Sequence, residues 1–416
     1  MSSSSESHSH SESHSHSHSH SHHRRGSSRR RSRWINIISC SISVILIIVL
    51  AVQSDALKSK NKDGGNHSQI TNSTVIVESS VYTEDVLLVS APVFNYMDSA
   101  NPKDAQSLYK TFDGWKYKLN EGQPWKLFYQ VMGLPAGVMV ESAKLEIAEN
   151  DTYKNAKSYK LDPKGHEFSV YNLKSGTKYF YRLSFELSNG SGAGSVGDFK
   201  TVDTTRVLNI DGAVYVRDIG GYKTIDGKRI KQGMLYRGSE LDGKVEKNYC
   251  LTEKGKTQML EDLNICFDLD LRGKEMAKDN KDALGKDVKH KYYGASTYAS
   301  FLLAEHNAIT KQIFADLANK NNYPIYMHCT YGRDRTGTVA YLLEALLGVD
   351  DETLYKDYAL SAFTDSYIET ENFEKFIADI QKMPGKTTQQ KVEKWLLSIG
   401  VTNAQIRNIR NILLEG

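Results

Sequence analysis

Residues 324–347 read PIYMHCTYGRDRTGTVAYLLEALL, and this stretch determines the predicted fold. An apolar strand pattern at 325–328 runs into a short polar loop, and apolar residues at helical spacing follow over 338–347. A strand, a tight loop and a helix in this order direct loop N–H groups and the helix N-terminus at one point. The sequence therefore predicts an anion-binding loop at 329–335.

Two side chains of this loop have the chemistry that phosphoryl transfer requires. Cys329 begins the loop, where the positive end of the helix and nearby guanidinium charge favour the nucleophilic thiolate form. Arg335 follows six residues later, and its planar guanidinium can hold two phosphate oxygens at once. The pattern predicts a cysteine nucleophile that attacks a phosphoryl group held by fixed donors.

The spacing of Cys, five residues, Arg and Thr resembles the signature of the cysteine-dependent protein tyrosine phosphatases. The loop is similar to the H-C-x-x-G-K-D-R-T-G loop of their bacterial branch. Further segments resemble landmarks of that branch across about 205–416, namely 215–222 (YVRDIGGY), 233–241 (GMLYRGSEL), 251–272, 348–358 and 400–413. The resemblance therefore covers the whole last part of the chain.

The resemblance implies a role for each polar residue of the loop. Cys329 attacks phosphorus and becomes a phosphocysteine, Arg335 clamps the phosphoryl oxygens, and Thr336 donates its hydroxyl to the sulfur. The implied phosphate-binding residues are Thr330, Tyr331, Gly332, Arg333, Asp334 and Arg335. A general acid must protonate the leaving oxygen, and Asp334 and Asp270 are both candidates. The mechanism needs no metal or cofactor, and the sequence shows no metal-ligand cluster in this domain.

Two departures from the bacterial branch affect the expected substrate. Tyr215 stands where Asn is usual, and Arg333 replaces a Lys, which keeps the charge but changes its reach and fork geometry. In similar enzymes a second loop cation accompanies activity on phosphoinositides. The leading prediction is a protein-tyrosine-phosphatase, or one of dual specificity, acting on a phosphotyrosyl protein. A phosphoinositide or inositol polyphosphate phosphatase is the alternative, and an inactive binding protein on a phosphatase fold is a further one.

The pattern of apolar residues predicts an all-β domain followed by an α/β domain. Within 204–416, apolar strands alternate with helical patterns, which predicts an α/β domain with a mostly parallel sheet flanked by helices. Short alternating, aromatic-rich runs within 81–203 predict an all-β sandwich. The stretch 173–201 resembles the second half of a fibronectin type III domain, which implies a spacer or a module for a surface partner.

The first 80 residues show no globular pattern. Residues 1–33 are almost only Ser, His, Arg and Glu, which predicts a disordered tail, and binding of metal by its eight His is left open. Residues 34–53 contain no charge over the length of a membrane-spanning helix, which predicts an uncleaved signal anchor, with a cleaved signal peptide as the competitor. Residues 54–80 are polar and predict a linker. Six Arg precede the apolar run, so a single-pass cell-membrane protein with a cytoplasmic N-terminus and an extracytoplasmic catalytic domain is expected.

Charge argues against a nucleic-acid partner. The chain has a net charge of +3, and residues 1–33 supply six Arg and two Glu, or +4, so the remainder carries −1. Neither predicted domain therefore has the basic excess that nucleic-acid binding requires. Four Cys are too few for a disulfide scaffold.

Overall fold

The computed structural model describes residues 75–81, 85–99, 101, 121–277, 283–363 and 370–416. All of these residues belong to one compact unit, Ser43–Gly416. The predicted tail at 1–33, the predicted signal anchor at 34–53 and nearly all of the predicted linker at 54–80 lie outside the described residues. The described residues form an all-β part followed by an α/β part.

The helices of the described ranges are too short, or too polar, to span a bilayer. The longest of them, Asp334–Leu347, has 14 residues. Such a helix rises only about 21 Å, whereas the hydrocarbon core of a bilayer is about 30 Å thick. This finding corrects the prediction of a single-pass cell-membrane protein with an extracytoplasmic catalytic domain. The segment on which that prediction depended is itself outside the described residues.

The all-β part consists of two sheets that share one apolar core. The first sheet has the order β1-β3-β6, with β1 (Ile76–Val81), β3 (Trp125–Met132) and β6 (Glu167–Val170). The second has the order β2-β8-β7-β4-β5, with β2 (Asp85–Val86), β4 (Val140–Ala148), β5 (Lys157–Leu161), β7 (Lys178–Leu187) and β8 (Gly192–Thr201). Trp125 of the first sheet stacks on Phe199 of the second, with ring centroids 4.2 Å apart. Alternate residues of β7 are buried, as a half-buried strand requires. Membership of the fibronectin type III family stays a prediction.

The α/β part is built on a six-stranded mixed sheet. Its strands are β9 (Arg206–Val207), β10 (Arg217–Asp218), β11 (Leu235–Gly238), β12 (Phe267–Asp270), β13 (Lys289–Tyr292) and β14 (Ile325–His328). The order is β13-β12-β14-β11-β10-β9. The four strands from β13 to β11 pair in parallel, and β10 pairs antiparallel with both β11 and β9. The α/β prediction is therefore confirmed, and the sheet is mixed.

The described helices are α1 (Ala91–Asp98), α2 (Glu253–Thr257), α3 (Lys274–Ala277), α4 (Tyr298–Phe301), α5 (Asn307–Leu317), α6 (Asp334–Leu347), α7 (Asp351–Ala359), α8 (Thr370–Gln381), α9 (Thr388–Ser398) and α10 (Asn403–Leu413). Helix α6 is buried on all sides from Thr336 to Leu347, so it lies in the centre of the part. Asp350 caps α7, and Thr402 forms a capping box with Gln405 at the start of α10.

Three parallel strands end at the same edge of the sheet. Gly238 of β11 and Asp270 of β12 both pair in register with His328 of β14. Because carboxyl ends of parallel strands meet at one edge, the segments that follow them are brought together there. The segment after β14 is the predicted anion-binding loop.

Helix α1 follows the first strands of the β part in sequence, yet it packs into the core of the α/β part. Val93 and Tyr96 are fully buried there, and the Tyr96 ring lies 5.4 Å from the Phe363 ring. The Lys356 Nζ donates to the Met97 carbonyl oxygen at 3.0 Å. The core of the α/β part is thus completed by residues far outside 204–416.

Candidate active site

The predicted anion-binding loop connects β14 to α6. Cys329 follows the strand directly, is 3% exposed and has a free thiol. Gly332 has a φ of 66°, and a Cβ at this position would lie 2.3 Å from the Gly238 carbonyl oxygen. Only glycine therefore fits the tight turn against the end of β11.

Two carbonyl groups of the loop are held from outside it. The Thr330 carbonyl accepts the Glu240 N–H at 2.9 Å, and the Gly332 carbonyl accepts Arg237 Nη2 at 3.0 Å. Within the described part of the chain, no backbone carbonyl accepts a hydrogen bond from the N–H groups of residues 330–332. These N–H groups, with those of the first turn of α6, are the donors that the loop offers to an anion.

The first turn of α6 contains the predicted clamp and the predicted sulfur donor. Arg335 is half-buried, and no side chain among the described residues hydrogen bonds to its guanidinium. The Thr336 hydroxyl is fully buried and has no hydrogen-bond partner in the described ranges. Both groups are therefore available for a phosphoryl ligand or for the neighbouring sulfur.

Asp334 begins α6 and is engaged by two donors. The Arg333 Nε donates to Asp334 Oδ1 at 3.1 Å and to Oδ2 at 3.3 Å. The Tyr298 hydroxyl, from the start of α4, also donates to Oδ1. The carboxylate keeps 19% of its surface exposed, so it is held in place while remaining accessible from the loop.

The guanidinium of Arg333 contacts other residues of the same loop. Its guanidinium carbon lies 5.4 Å from the centre of the Tyr331 ring, in addition to the bond to Asp334. The Tyr331 ring in turn meets Tyr249 edge-on at 5.9 Å. Only 9% of the Arg333 surface is exposed, so the charge that distinguishes this loop is engaged within the protein.

Asp270, the other candidate acid, is fully buried beneath the loop. Arg272 donates to both of its oxygens, with Nη2 2.8 Å from Oδ2 and Nε 3.1 Å from Oδ1. Burial alone would raise the pKa of Asp270, but the His328 imidazolium and the Arg272 guanidinium outweigh burial and hold that pKa well below its usual range. Arg272 also binds Glu240 and Asp242. The described residues contain no group of three or more His, Cys, Asp or Glu placed to hold a metal ion.

His328 precedes the nucleophile and has an acceptor on each ring nitrogen. Nε2 lies 2.9 Å from Asp268 Oδ1, and Nδ1 lies 3.0 Å from the Cys329 carbonyl oxygen. Burial alone would lower the pKa of His328, but the carboxylates of Asp270 and Asp268 outweigh it and raise that pKa to about 9. The ring is therefore an imidazolium at neutral pH, bonded to the backbone of the residue that begins the loop.

We expect this imidazolium to make stability depend on pH. The folded-state pKa of about 9 exceeds the unfolded value of roughly 6.5, so the contribution is complete below pH 6.5 and is lost as pH rises through 9. Relative to His328→Gln, the wild type should lose about 3 kcal/mol of unfolding free energy across this window. Urea unfolding at several pH values measures the difference. The difference in unfolding free energy between the wild type and Met327→Leu should not change with pH. If the difference between the wild type and His328→Gln did not change with pH either, the charged state of the ring would be contradicted.

A buried ionic network lies behind the loop. Asp357 of α7 accepts Arg217 Nε at 3.0 Å through Oδ1 and Arg237 Nη1 through Oδ2, and Tyr222 donates to Oδ1 at 3.1 Å. Arg237 extends the network to the Gly332 carbonyl. Burial would raise the pKa of Asp357, but the two guanidinium groups outweigh burial and lower it. Asp357 thus connects α7 to the predicted anion-binding loop through Arg237.

A second buried carboxyl group, Glu344, lies near this network, and neither of its oxygens has a hydrogen-bond partner in the described ranges. Burial and the nearby Asp357 raise the pKa of Glu344 well above its usual value, which favours its neutral form. Sequence reasoning noted the segments containing Arg217 and Arg237 but assigned no role to Asp357. Asp357 lies three residues from both Leu354 and Leu360, on the apolar face of the helical pattern at 352–361, and this position was the available signal.

Comparisons with known proteins identify the α/β part. The sequence profile of the tyrosine phosphatase family matches residues 208–415, half of the chain. A Cupriavidus necator protein named as a tyrosine-protein phosphatase is 27% identical over 175 residues, covering 36% of this chain and 61% of its own length. A tyrosine-protein phosphatase of Nostoc commune is 27% identical over 121 residues, covering 24% of this chain and 41% of its own length. The chain thus spans less than two thirds of the length of either relative.

A search of solved structures finds the core catalytic domain of a PP-IP phosphatase from S. cerevisiae in complex with citrate. It is 17% identical, covers 40% of this chain and 84% of that domain, and has a TM-score of 0.23. A likeness at this score carries no argument. The family profile identifies the family, because it covers half of the chain, including the loop, α6 and the strands that position them. The chain belongs to the tyrosine phosphatase family.

Proposed function

We propose that this protein is a cysteine-dependent phosphomonoesterase that hydrolyses phosphotyrosine through a phosphocysteine intermediate. One observation carries the proposal: the free Cys329 thiol directly follows a buried strand and begins a loop whose N–H groups at 330–332 bind no carbonyl group of the described residues, and Arg335 follows in the first turn of the next helix. A thiol, free N–H donors and a guanidinium within one loop support this chemistry, as nucleophile, anion cradle and bidentate cation.

In the first half-reaction, the Cys329 thiolate attacks phosphorus. The S–P bond forms as the bond from phosphorus to the leaving oxygen breaks, and the leaving oxygen takes a proton from a general acid. Arg335 and the loop N–H groups meet the charge on the equatorial oxygens. The product alcohol leaves, and the phosphocysteine remains.

The surroundings of Asp334 fit the role of general acid better than those of Asp270. Asp334 begins the helix at the loop and is 19% exposed, so a leaving oxygen can reach it. Asp270 is fully buried, and Arg272 occupies both of its oxygens. Arg333 also binds both oxygens of Asp334, but Asp270 is out of reach of a leaving oxygen, and His328 together with Arg272 holds its pKa well below its usual range. We therefore assign Asp270 to the support of Arg272 and His328.

The second half-reaction uses the same groups in reverse. Water attacks phosphorus, Asp334 takes a proton from that water, and the P–S bond breaks to return the Cys329 thiolate and release phosphate. The partnerless Thr336 hydroxyl can donate to the departing sulfur and stabilise its charge. No further reactant is needed.

The engagement of Arg333 favours a monophosphorylated substrate over a phosphoinositide. A second substrate phosphate would need a free cation beside the first phosphate site. Arg333 is instead bound to Asp334, lies over the Tyr331 ring and is 9% exposed. The inositide alternative would have to break these contacts and disturb the proposed acid.

Phosphate release from a substrate panel tests this proposal. The full chain, with its thiol reduced, is given phosphotyrosine and phosphoserine peptides, a phosphoinositide and inositol hexakisphosphate. We expect kcat/KM for the phosphotyrosine peptide to exceed that for either inositol compound by about 10-fold or more, since one unmatched charge contact is worth about that factor. Preference for an inositol compound would reverse the substrate assignment. Phosphate release from none of them would favour a binding protein on a phosphatase fold.

For the β part, we propose a fibronectin type III-like module within 81–203, preceding a catalytic domain at 204–416. Two packed sheets with a shared aromatic core support this assignment, because such domains have that architecture. The first strand, however, begins at Ile76. We propose that this module is a spacer or binds a surface partner.

A further inference from the structure

Tyr298 lies outside every segment that pointed to the catalytic loop, yet its side chain reaches the proposed acid. The Tyr298 hydroxyl donates to Asp334 Oδ1. The Tyr358 hydroxyl, from α7, lies 2.8 Å from the same Tyr298 oxygen. Since the single Tyr298 proton points to Asp334, Tyr358 supplies the proton of the second bond. A directed series of two hydroxyl groups thus ends on one oxygen of the carboxylate.

The backbone of Tyr298 is also attached to the first turns of α6. Its N–H donates to Thr338 Oγ1 at 2.9 Å, and that hydroxyl donates to the Asp334 carbonyl at 2.8 Å. The φ of Tyr298 is 50°, in the left-handed region that bulky residues rarely adopt. Such a conformation is strained and persists only where surrounding contacts enforce it. Here those contacts hold Tyr298 beside Asp334, the proposed acid.

The two donors to Asp334 favour the same oxygen. Tyr298 donates to Oδ1, and Arg333 Nε is closer to Oδ1, at 3.1 Å, than to Oδ2, at 3.3 Å. Oδ1 thus accepts two hydrogen bonds, whereas Oδ2 accepts from the described residues only the longer Arg333 contact, and the oxygen that accepts more and shorter hydrogen bonds carries more of the negative charge. The proton of the acid form therefore resides on Oδ2.

We infer that Tyr298 is a positioning residue that orients Asp334 so that Oδ2 presents the proton delivered to the leaving oxygen. The inference rests on the proposed function, because it assumes that Asp334 is the acid. In the step, the O–H bond at Oδ2 breaks as the new O–H bond forms on the leaving oxygen. The tyrosine protons stay on their oxygens throughout. The hydrogen bond from the Tyr358 hydroxyl holds the Tyr298 hydroxyl in place.

The test compares two substrates that differ in their need for an acid. Phenyl phosphate has a poor leaving group that requires protonation, whereas p-nitrophenolate leaves readily without it. The full chain is assayed for kcat/KM, which reports the first half-reaction, as wild type, Asp334→Asn, Tyr298→Phe and the double variant. Tyr341→Phe is the matched control, since Tyr341 packs on the same Phe373 ring as Tyr298 but lies beyond the reacting turn of α6. Thermal unfolding of each variant checks the fold.

We expect Asp334→Asn to lower kcat/KM for phenyl phosphate by about 100-fold, and Tyr298→Phe by about 10-fold, with much smaller losses for p-nitrophenyl phosphate. Tyr298→Phe should cause no further loss once Asp334 is Asn. Tyr358→Phe, should Tyr298→Phe fold poorly, is expected to show a smaller loss of the same kind.

Two results would overturn the inference while leaving the proposed function intact. They are an equal loss by Tyr298→Phe on both substrates, or a further loss in the Asp334→Asn background. If Asp334→Asn itself affected both substrates equally, the acid assignment would fail and the inference with it. The cysteine part of the proposed function would then be decided separately, by the Cys329 variant.

Discussion

Replacing Cys329 with serine is expected to abolish phosphate release, with a loss of about 10⁴-fold or more, as removal of a catalytic nucleophile does in other hydrolases. The physical reason is that a thiolate is a strong nucleophile, whereas a serine hydroxyl is a weak one unless a base removes its proton. The loop N–H groups and Arg335 are unchanged by the substitution. The measurement is the initial rate of phosphate release from a phosphotyrosine peptide.

The same variant separates catalysis from binding. Because the anion cradle remains, Cys329→Ser should bind the phosphotyrosine peptide with an affinity close to the KM of the wild type. Cys266→Ser is the matched control: that thiol directly precedes β12, its sulfur lies 3.7 Å from the Pro324 carbonyl oxygen, and it should leave activity unchanged. Activity of Cys329→Ser within about 10-fold of the wild type would refute the cysteine mechanism.

Asp357→Asn is expected to lower the free energy of unfolding by about 3–5 kcal/mol, the usual cost of removing one partner of a buried ion pair. Asparagine keeps the shape of the side chain but leaves Arg217 and Arg237 buried beside each other without a countercharge. The bond from Arg237 to the Gly332 carbonyl should also loosen, so kcat/KM per folded molecule should fall as well. Urea unfolding and phosphate release, corrected for the folded fraction, measure the two effects.

An exposed aspartate of the same helix gives the control for this variant. Asp351 lies in the first turn of α7, and Asp351→Asn should cost less than about 1 kcal/mol through the helix dipole alone. A similarly small cost for Asp357→Asn would mean that the buried Glu344 ionises in its place. Combining Asp357→Asn with Glu344→Gln would then restore the full loss of stability.

Features that depend on contiguous residues could be predicted from the sequence. A strand, loop and helix adjoin one another at 325–347, so their order, the position of Cys329 and the place of Arg335 in the first turn follow from local patterns. The alternation of strands and helices likewise predicted the α/β part, although the antiparallel strands β9 and β10 were not anticipated. Strands of two residues have too little periodicity to be recognised.

Contacts between distant segments could not be predicted. Helix α1 follows strands of the β part, so its burial beside Phe363 depends on a surface that the α/β part forms only when folded. The predicted localisation failed differently: it depended on a hydropathy pattern outside the described residues, whereas the described helices are too short or too polar to span a bilayer.

The sequence by itself predicted the family, which the family profile confirms, and also the anion-binding loop and the class of reaction that we propose, because each depends on residues close together in the chain. It left Asp334 and Asp270 as equal candidates for the acid, since one lies in the loop and the other at the end of a neighbouring strand. Our preference for Asp334 depends on the tertiary structure, which brings Arg272 to Asp270 and Tyr298 to Asp334. The proton state of a carboxylate depends on the charges, donors and burial around it. Those surroundings come from residues far apart in the chain, which only folding brings together.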